Sequence, residues 1–205
     1  MNRNGLARHG VLLLVTLMVF VWSGIRPHDR FTWFLEVVPA LSAFPVIALT
    51  YRSFRLTDLV YIGIAIHAMI LMVGGHYTYA EVPLFNWIRD HYGLARNHYD
   101  RLGHLAQGFF PALVAREILL RKNIVRRGGW LFFIVVCICL AISASYELIE
   151  WQVAEQSGDD ATAFLATQGD VWDTQKDMAM ALIGSILSLV LLSKLHDRQL
   201  KEVTS

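Results

Sequence analysis

The sequence is poor in charged residues and has only two cysteines. Charged residues make up 17% of the 205-residue chain and hydrophobic residues 55%, whereas a typical soluble domain has about 25% charged residues. The apolar residues come in long blocks, which is typical of membrane spans. This composition excludes an ordinary soluble domain and predicts an integral membrane protein that sits in the lipid bilayer.

Further absences narrow the function. Cys137 and Cys139 lie two positions apart in one apolar run, where helical side chains point in different directions, so we expect no disulfide between them. The net charge of +1 gives no reason to expect a nucleic acid partner. The chain contains no His-Glu-x-x-His, Glu-x-x-His or Cys-x-x-Cys pattern, no Gly-x-Ser-x-Gly elbow and no phosphate-binding glycine loop. Any site must therefore be assembled from separate segments.

Hydropathy predicts an all-α fold of six membrane-spanning helices and one short interfacial helix, in one domain covering residues 1–205. The predicted spans are approximately residues 10–25, 32–50, 59–75, 102–120, 128–146 and 178–193. The second span contains Pro39 and Pro45 and is expected to be kinked or broken. The fourth span is the least apolar. Pro83 opens the amphipathic segment that should form the interfacial helix.

Positive charge sets the expected orientation. With the N-terminus inside, twelve of the 18 Lys and Arg residues fall on the cytoplasmic side and six outside. Both termini are therefore predicted to be cytoplasmic, with an uncleaved first span. Five of the six tryptophans then fall at the outer interface, namely Trp22, Trp33, Trp87, Trp151 and Trp172.

This topology brings ionisable residues from four spans to the outer face. The predicted site comprises His76, Asp100, His104, Glu147, Glu150, Asp170, Asp173 and Asp177. The three aspartates before the sixth span stand at i, i+3 and i+7, so they share one helical face, and so do Asp100 and His104. By contrast, the cytoplasmic halves of the fifth and sixth spans are expected to carry no polar feature.

Each group also has a structural explanation. The acids could cap helices or complement helix dipoles, and Asp100 could pair with Arg101. Asp177 is harder to explain in this way because it leads directly into apolar sequence. Glu36, early in the second span, is a further candidate for the same cavity, whereas His67 is expected to be a packed, satisfied histidine.

Carboxylates combined with imidazoles can bind a divalent cation, for which Mg, Mn and Zn are the candidates. Such a cation could polarise a phosphoryl or acyl oxygen or activate a bound water. Without a cation, the same groups could serve as general acid and base or as a proton relay. The expected catalytic set is Asp173, Asp177, Glu147, Glu150 and His104. The candidate metal ligands are the same five residues with Asp100, Asp170 and His76.

Four segments resemble the YjdF family of bacterial inner-membrane proteins, which is built around a domain of unknown function. The segments are His76-Tyr77-Thr78-Tyr79, Asn97-His98-Tyr99-Asp100-Arg101-Leu102-Gly103-His104, Tyr146-Glu147-Leu148-Ile149-Glu150-Trp151 and Gly169-Asp170-Val171-Trp172-Asp173-Thr174-Gln175-Lys176-Asp177. The resemblance covers nearly the whole chain. It implies a multi-pass protein of the bacterial inner membrane and implies no activity.

The chain is also similar, less closely, to VanZ-like membrane proteins, which are associated with glycopeptide resistance. The shared features are Asp100-Arg101-Leu102-Gly103-His104, an acid at Glu147 or Glu150, and Asp173 and Asp177 before an apolar helix with Gly184. The VanZ-type Glu-x-x-Gln departs to Glu147-x-x-Glu150 here. This likeness implies a shared fold and pocket and leaves the substrate open.

Three functions remain open. The leading hypothesis is an envelope protein whose outward-facing His/carboxylate pocket holds a metal and acts on a lipid or lipid-linked headgroup. A small proton-coupled transporter would use the same acids as a relay, with polar residues continuing through the bilayer. A structural or assembly factor would use them only as helix caps.

Overall fold

The computed structural model describes residues 3–157 and 165–204, and the long elements in these ranges are all α-helices. They are α1 (Arg3–Ser23), α2 (Arg30–Thr50), α3 (Asp58–Tyr77), α4 (Pro83–Tyr92), α5 (Tyr99–Arg121), α6 (Gly129–Ser157) and α7 (Asp173–Thr204). A short 3-10 helix, Tyr79–Glu81, follows α3. The all-helical prediction is confirmed.

Five of these helices, α1, α2, α3, α6 and α7, are long and apolar enough to cross a membrane. The helices α6 and α7 extend well beyond the predicted spans at residues 128–146 and 178–193. Glu147 and Glu150 therefore lie within α6, and Asp173 and Asp177 within α7. The acids are thus held on rigid helical turns instead of in flanking loops.

The predicted fourth span, α5, is not among the five helices of sufficiently apolar composition. It is the most enclosed helix: eleven of its 23 residues are buried, and it packs against α3, α6 and α7. Because neighbouring helices and not lipid cover it, α5 tolerates buried ionisable residues such as His104 and Glu117. This explains why hydropathy gives it the weakest signal.

The two helices α5 and α7 form the most extensive helix–helix contact in the chain. A Cβ atom added at Gly108 would overlap the backbone of Ala181, and one added at Gly184 would overlap the carbonyl oxygen of Leu105. Such close backbone approach is the reason for small residues between membrane helices. The crossing fixes the first turns of α5 against the first turns of α7, which run in the same direction.

The helix α2 is continuous through Pro39 and Pro45, so the break allowed for in the sequence does not occur. It starts at Asp29, whose Oδ1 accepts a hydrogen bond from the Thr32 amide at 2.6 Å. The helix α4 starts at Pro83, as predicted, and ends at Gly93 in the left-handed conformation with φ 63°. Its location in the membrane interface remains a prediction.

The bundle has two polar ends. The acidic end, defined by Asp100, His104, Glu147, Asp173 and Asp177, joins the starts of α5 and α7 to the last part of α6. The basic end, defined by Arg116, Glu117, Arg121, Arg127 and His196, joins the end of α5, the start of α6 and the last part of α7. Apolar clusters fill the space between the two ends; one consists of Ala112, Leu119, Leu131, Val135, Cys139 and Leu189.

Candidate functional site

The acidic end brings five of the eight predicted site residues together in the protein interior. Asp100, His104, Glu147, Asp173 and Asp177 are all buried, with exposed fractions between 3% and 7%. Buried carboxylates are costly unless they are paired. The partners of these groups therefore decide what the arrangement can do.

Arg96 is the first partner. Its Nη2 donates to Asp100 Oδ2 at 3.1 Å, and its Nη1 donates to Asp173. The same guanidinium also donates to the backbone carbonyls of Ala166, at 3.1 Å, and Thr167, at 3.3 Å. Arg96 thus fastens the segment before α7 to the start of α5.

Arg101 is the second partner. Its Nη2 donates to Asp173 Oδ1 at 2.5 Å and to Asp170 Oδ2 at 3.3 Å, and its Nη1 donates to Asp177. The sequence predicted no ion pair for Arg96 and, for Arg101, only a pair with Asp100. Arg96 and Asp100 are four positions apart, the spacing of helical ion pairs, but Arg96 precedes α5, which begins at Tyr99, so the spacing does not identify the pair.

Asn97 holds the backbone that carries these arginines. Its amide donates to Gln168 Oε1 at 2.9 Å, and Gln168 Nε2 donates back to the Asn97 carbonyl at 2.9 Å. The Asn97 side chain donates to Val82 O and accepts from the Tyr99 amide. This residue is fully buried, so the turn before α5 is fixed at the site.

His104 faces the carboxylates with one ring nitrogen and a neutral amide with the other. Its Nδ1 lies 3.2 Å from Gln107 Oε1; because an amide oxygen only accepts, Nδ1 carries the proton of this hydrogen bond. Its Nε2 lies 3.5 Å from Asp100 Oδ1 and 3.9 Å from Asp177 Oδ1. Both distances are longer than a hydrogen bond.

These three residues fit a divalent cation. Ligand atoms from Asp100, His104 and Asp177 all lie within 4.8 Å of one another, and two carboxylates with one imidazole suit Mn or Zn. Metal-bound histidines usually donate their second ring nitrogen to a carbonyl or carboxylate, as His104 does to Gln107. A carboxylate has about four acceptor sites, so Asp177 can bind a cation while it accepts from Arg101.

The two glutamates of α6 lie on the other side of the imidazole ring. Glu147 Oε1 is 3.7 Å from His104 Nδ1 and has no hydrogen-bond partner among the residues that the structure describes. The Glu147 carboxyl group also interacts with the Thr174 hydroxyl at the start of α7. Glu150 is half-buried and acts on His104 and Glu147 through its charge.

Glu36 of α2 extends the cluster further into the bundle. It is 3% exposed and interacts with the hydroxyls of Tyr79 and Tyr146 and with the charges of Asp100 and His104. Glu36 was an additional candidate from the sequence, whereas neither tyrosine was predicted to have a role. Both tyrosines lie within the segments that resemble the YjdF family, which is the signal that could have indicated them.

Tyr79 is placed by an unusual backbone. A Cβ atom at Gly74 would overlap its ring, and one at Gly103 would lie 2.9 Å from Tyr79 Cε2, so the ring occupies a slot between two glycines. Thr78, which precedes Tyr79, has the backbone angles φ 60° and ψ 145°. Residues other than glycine rarely adopt this conformation. Such strained residues concentrate at functional sites.

Charge at the acidic end is unbalanced. Its carboxyl groups are Glu36, Asp100, Glu147, Glu150, Asp170, Asp173 and Asp177, and its permanent cations are Arg96, Arg101 and Lys176. Seven acids therefore meet three cations and one histidine. A bound cation or bound protons would compensate the excess.

Besides the half-buried Glu150, two predicted site residues lie outside this buried group. Asp170 is on the rim, where Lys176 Nζ donates to its Oδ2 at 2.6 Å and lowers the pKa of its carboxyl group. The ring of His76 stacks on Trp22, and its Nδ1 lies 3.0 Å from the Ser23 carbonyl oxygen. The geometry gives His76 a packing role at the end of α3. His67 stacks on Phe110, as expected of a packed histidine, but its Nε2 has no hydrogen-bond partner among the residues that the structure describes, so the expectation of a satisfied histidine was wrong.

A second cluster of buried polar groups, which the sequence did not predict, lies at the basic end. At the basic end, Glu117 is fully buried and accepts from the Thr57 amide at 3.1 Å and the Thr57 hydroxyl at 2.8 Å. It also accepts from Arg121 Nη1 at 2.8 Å and pairs with His196 Nε2 at 3.0 Å. Both oxygens of this carboxylate are satisfied.

His196 is neutral in this arrangement. Arg116 Nη1 lies 3.2 Å from His196 Nδ1, and because arginine only donates, Nδ1 accepts and the proton resides on Nε2, which donates to Glu117. Arg116 and Glu117 interrupted a predicted span, and His196 lay beyond the predicted end of another. The pairing was missed because hydropathy ended the sixth span at residue 193.

The chain was compared with known protein families, curated proteins and solved structures. The chain matches the family described as "Predicted membrane protein (DUF2238)" over residues 8–198. The chain belongs to this family. It is similar to the inner membrane protein YjdF of Escherichia coli (strain K12), with 48% identity over 188 residues that cover 92% of this chain and 90% of the relative. No solved structure matches it.

The family match confirms the resemblance to YjdF proteins, while the VanZ-like similarity remains a sequence resemblance. All of the polar residues described for the two ends lie within the matched region, residues 8–198. The DUF2238 description gives no activity. The acidic end must therefore be interpreted from its own chemistry.

Proposed function

We propose that this protein is a metal-dependent membrane enzyme that acts on a lipid or lipid-linked headgroup. The observation that carries the proposal is the placement of Asp100, His104 and Asp177, with ligand atoms within 4.8 Å and the second nitrogen of His104 held by Gln107. A divalent cation bound there would supply a Lewis acid and an activated water.

The chain's own residues have distinct roles in this proposal. Arg96 and Arg101 hold Asp100, Asp173 and Asp177 in fixed positions, which keeps the ligand set pre-organised. Glu147 is positioned to accept a proton during the reaction, because its Oε1 lies beside the imidazole and has no hydrogen-bond partner in the described part of the chain. Asp173 is a positioning residue, since Arg96 and Arg101 both donate to its Oδ1.

The depth of the site supports a headgroup substrate. Exposed tryptophans surround the acidic end: Trp22, Trp87, Trp151 and Trp172 are 40%, 59%, 55% and 61% exposed. Tryptophan is enriched at the level of lipid headgroups. A site at this level meets the polar part of a lipid while the protein remains in the bilayer.

The proposal includes a topology. One membrane domain with six spans, in which α5 crosses as the shielded central helix, places both termini in the cytoplasm and the acidic end outside. The 48% identity to an inner membrane protein supports an inner-membrane location. The helix α4, with polar and apolar residues on opposite faces, would lie along the outer interface.

A proton-coupled transporter is less well supported. Such a protein needs polar groups across the bilayer, and residues 108–115 of α5, between the two polar ends, contain no polar side chain. Ser185 and Ser188 of α7 are buried in the same region, but they do not titrate. Proton exchange at the acidic end could therefore serve catalysis more readily than transport.

Equilibrium titration of the detergent-purified full chain with Mn²⁺, Zn²⁺ and Mg²⁺ tests the metal. We expect one cation per chain in the wild type and loss of binding by at least tenfold in Asp177→Asn. Asp197→Asn is the matched control, because it is the same change in the same helix at the basic end. No binding in the wild type, or equal binding in Asp177→Asn, would refute the metal site.

Catalysis needs a separate readout. Lipid bilayers made from bacterial lipid extract would be incubated with the metal-loaded wild type or with Asp177→Asn, and the lipids compared by mass spectrometry. We expect a lipid species that is consumed only by the wild type. Metal binding without any change in the lipids would contradict the enzymatic part of the proposal and leave a structural metal.

A further inference from the structure

A cleft of about 200 Å³ opens at the basic end between α5, the start of α6 and α7. Arg116, Arg127 and Asp197 form its polar wall, and Phe132 and Leu189 belong to its apolar wall. It is distinct from the acidic end, because Arg116 lies twelve positions after His104 on α5, or about 18 Å along the helix. None of its lining residues belongs to the proposed enzyme site.

The polar wall has more positive than negative charge. Asp197 Oδ1 accepts from Arg116 Nη2 at 2.8 Å and from Arg127 Nε at 3.2 Å. Two guanidinium groups thus share one carboxylate oxygen. The other contact of Arg116 is with neutral His196, which adds no negative charge. Arg127 lines the cleft and its side chain is 57% exposed, so it is accessible to a ligand there.

The surroundings of the cleft are aromatic and apolar. A second hollow, of about 490 Å³, lies against Gly129, Trp130 and Phe133 of the same first turn of α6. Trp130 is 73% exposed and Phe133 is 58% exposed, with their rings in edge contact. Exposed aromatic rings next to clustered arginines are typical of the membrane interface.

We propose that this cleft binds an anionic phospholipid. The headgroup phosphate would lie between Arg127 and Arg116, and an acyl chain would follow Phe132 and Leu189. The fit rests on charge complementarity at the opening and on an apolar wall below it, a combination that a soluble anion would not use. Basic pockets between membrane helices commonly bind lipid headgroups in this way.

Native mass spectrometry of the full chain in detergent tests this proposal. Dioleoyl phosphatidylglycerol and dioleoyl phosphatidylcholine would be added to the wild type, Arg127→Gln and Arg126→Gln. Arg127→Gln leaves Asp197 paired with Arg116, so folding should be retained. Arg126→Gln is the matched control, since Arg126 is an exposed neighbour that does not line the cleft.

We expect the wild type to retain phosphatidylglycerol in preference to phosphatidylcholine. Arg127→Gln should weaken retention about fivefold to tenfold and Arg126→Gln should leave it unchanged. Equal retention of both lipids, or equal loss in both variants, would overturn the proposal. Inorganic phosphate provides the third arm: displacement of the lipid by millimolar phosphate would identify a simple anion site and overturn the lipid as occupant.

Discussion

Both ends of the α5–α7 pair contain buried acids, arginines and a histidine, but these groups are fully paired at the basic end and incompletely paired at the acidic end. At the basic end, Glu117 accepts from Thr57, Arg121 and His196, and every oxygen is satisfied. At the acidic end, seven carboxyl groups meet three permanent cations. There, the Nε2 of His104 stands 3.5 Å and 3.9 Å from two carboxylates, too far for hydrogen bonds.

This difference separates a structural network from a ligand site. A buried ion pair with complete hydrogen bonding holds helices in register and needs nothing more. A crowded set of carboxylates around an imidazole is destabilising on its own, which supports our proposal that the acidic end binds a cation or a proton. Burial alone does not distinguish the two ends, but the completeness of partners does.

The largest predicted loss of stability is that of the substitution Glu117→Gln at the basic end. The new amide would place donors against Thr57 and Arg121 and remove the charge that compensates Arg121, at a cost of about 3–5 kcal/mol in the free energy of unfolding. Glu147→Gln at the acidic end removes one of the excess charges and should cost less than about 1 kcal/mol. Thermal unfolding in detergent measures the loss of stability in both variants. Equal losses would contradict the difference that we infer between the two ends.

The second predicted loss of stability concerns the close contact between α5 and α7, which lies between the two ends. Gly184→Ala would press a methyl group into the backbone of Leu105, and overpacking of this kind costs about 1–3 kcal/mol. Gly10→Ala is the matched control, because a Cβ there meets no atom within 4 Å. A stability equal to that of the control would show that α5 and α7 are not in such close contact.

A smaller effect is expected at Asp29, an acid beside the acidic end that has its own partner. The hydrogen bond from the Thr32 amide lowers the pKa of Asp29 below its usual value of 3.8. Its contribution to stability is therefore present above pH 3.8 and is lost as the pH falls through the lowered value. Asp29→Ala should cost about 1 kcal/mol at pH 7.

Unfolding of wild type and Asp29→Ala between pH 6 and pH 3 checks this prediction. The difference in the free energy of unfolding between the two proteins should become smaller toward pH 3, because the protonated Asp29 side chain is a weaker hydrogen-bond acceptor. Asp29→Asn, which can still cap the helix, should show no such narrowing relative to its own value at pH 7. A gap that widens toward low pH would contradict the assignment of Asp29 as a charged helix cap.

The acids of the site could be predicted from their positions in the sequence next to apolar spans. Asp177 leads directly into an apolar helix, and Asp100 and His104 share a face at the start of another, so their placement next to spans is visible in the sequence. That α5 and α7 run in the same direction followed from counting spans. These two inferences suffice to bring the three candidate ligands to one end of the bundle.

The partners of those acids could not be predicted in the same way. Arg96 lies in a loop, and only the fold brings the carbonyls of Ala166 and Thr167 to it. Glu117 and His196 are separated by 79 positions, and neither has a local pattern that identifies the other. Long-range polar pairing depends on helix packing, which hydropathy and spacing do not specify.

The central claim is that the acidic end is organised to hold a cation. Thermal unfolding of wild type and Asp177→Asn, each with and without Mn²⁺, tests it most directly. Without metal, Asp177→Asn should be as stable as the wild type or more so, since it relieves repulsion. With metal at a hundred times the dissociation constant of the wild type, the free energy of unfolding of the wild type should rise by about 2.7 kcal/mol and that of Asp177→Asn, which binds at least tenfold more weakly, by no more than about 1.4 kcal/mol. A wild type that gains nothing, together with a variant that is strongly destabilised without metal, would instead make the acidic end a structural ion-pair network like the basic one.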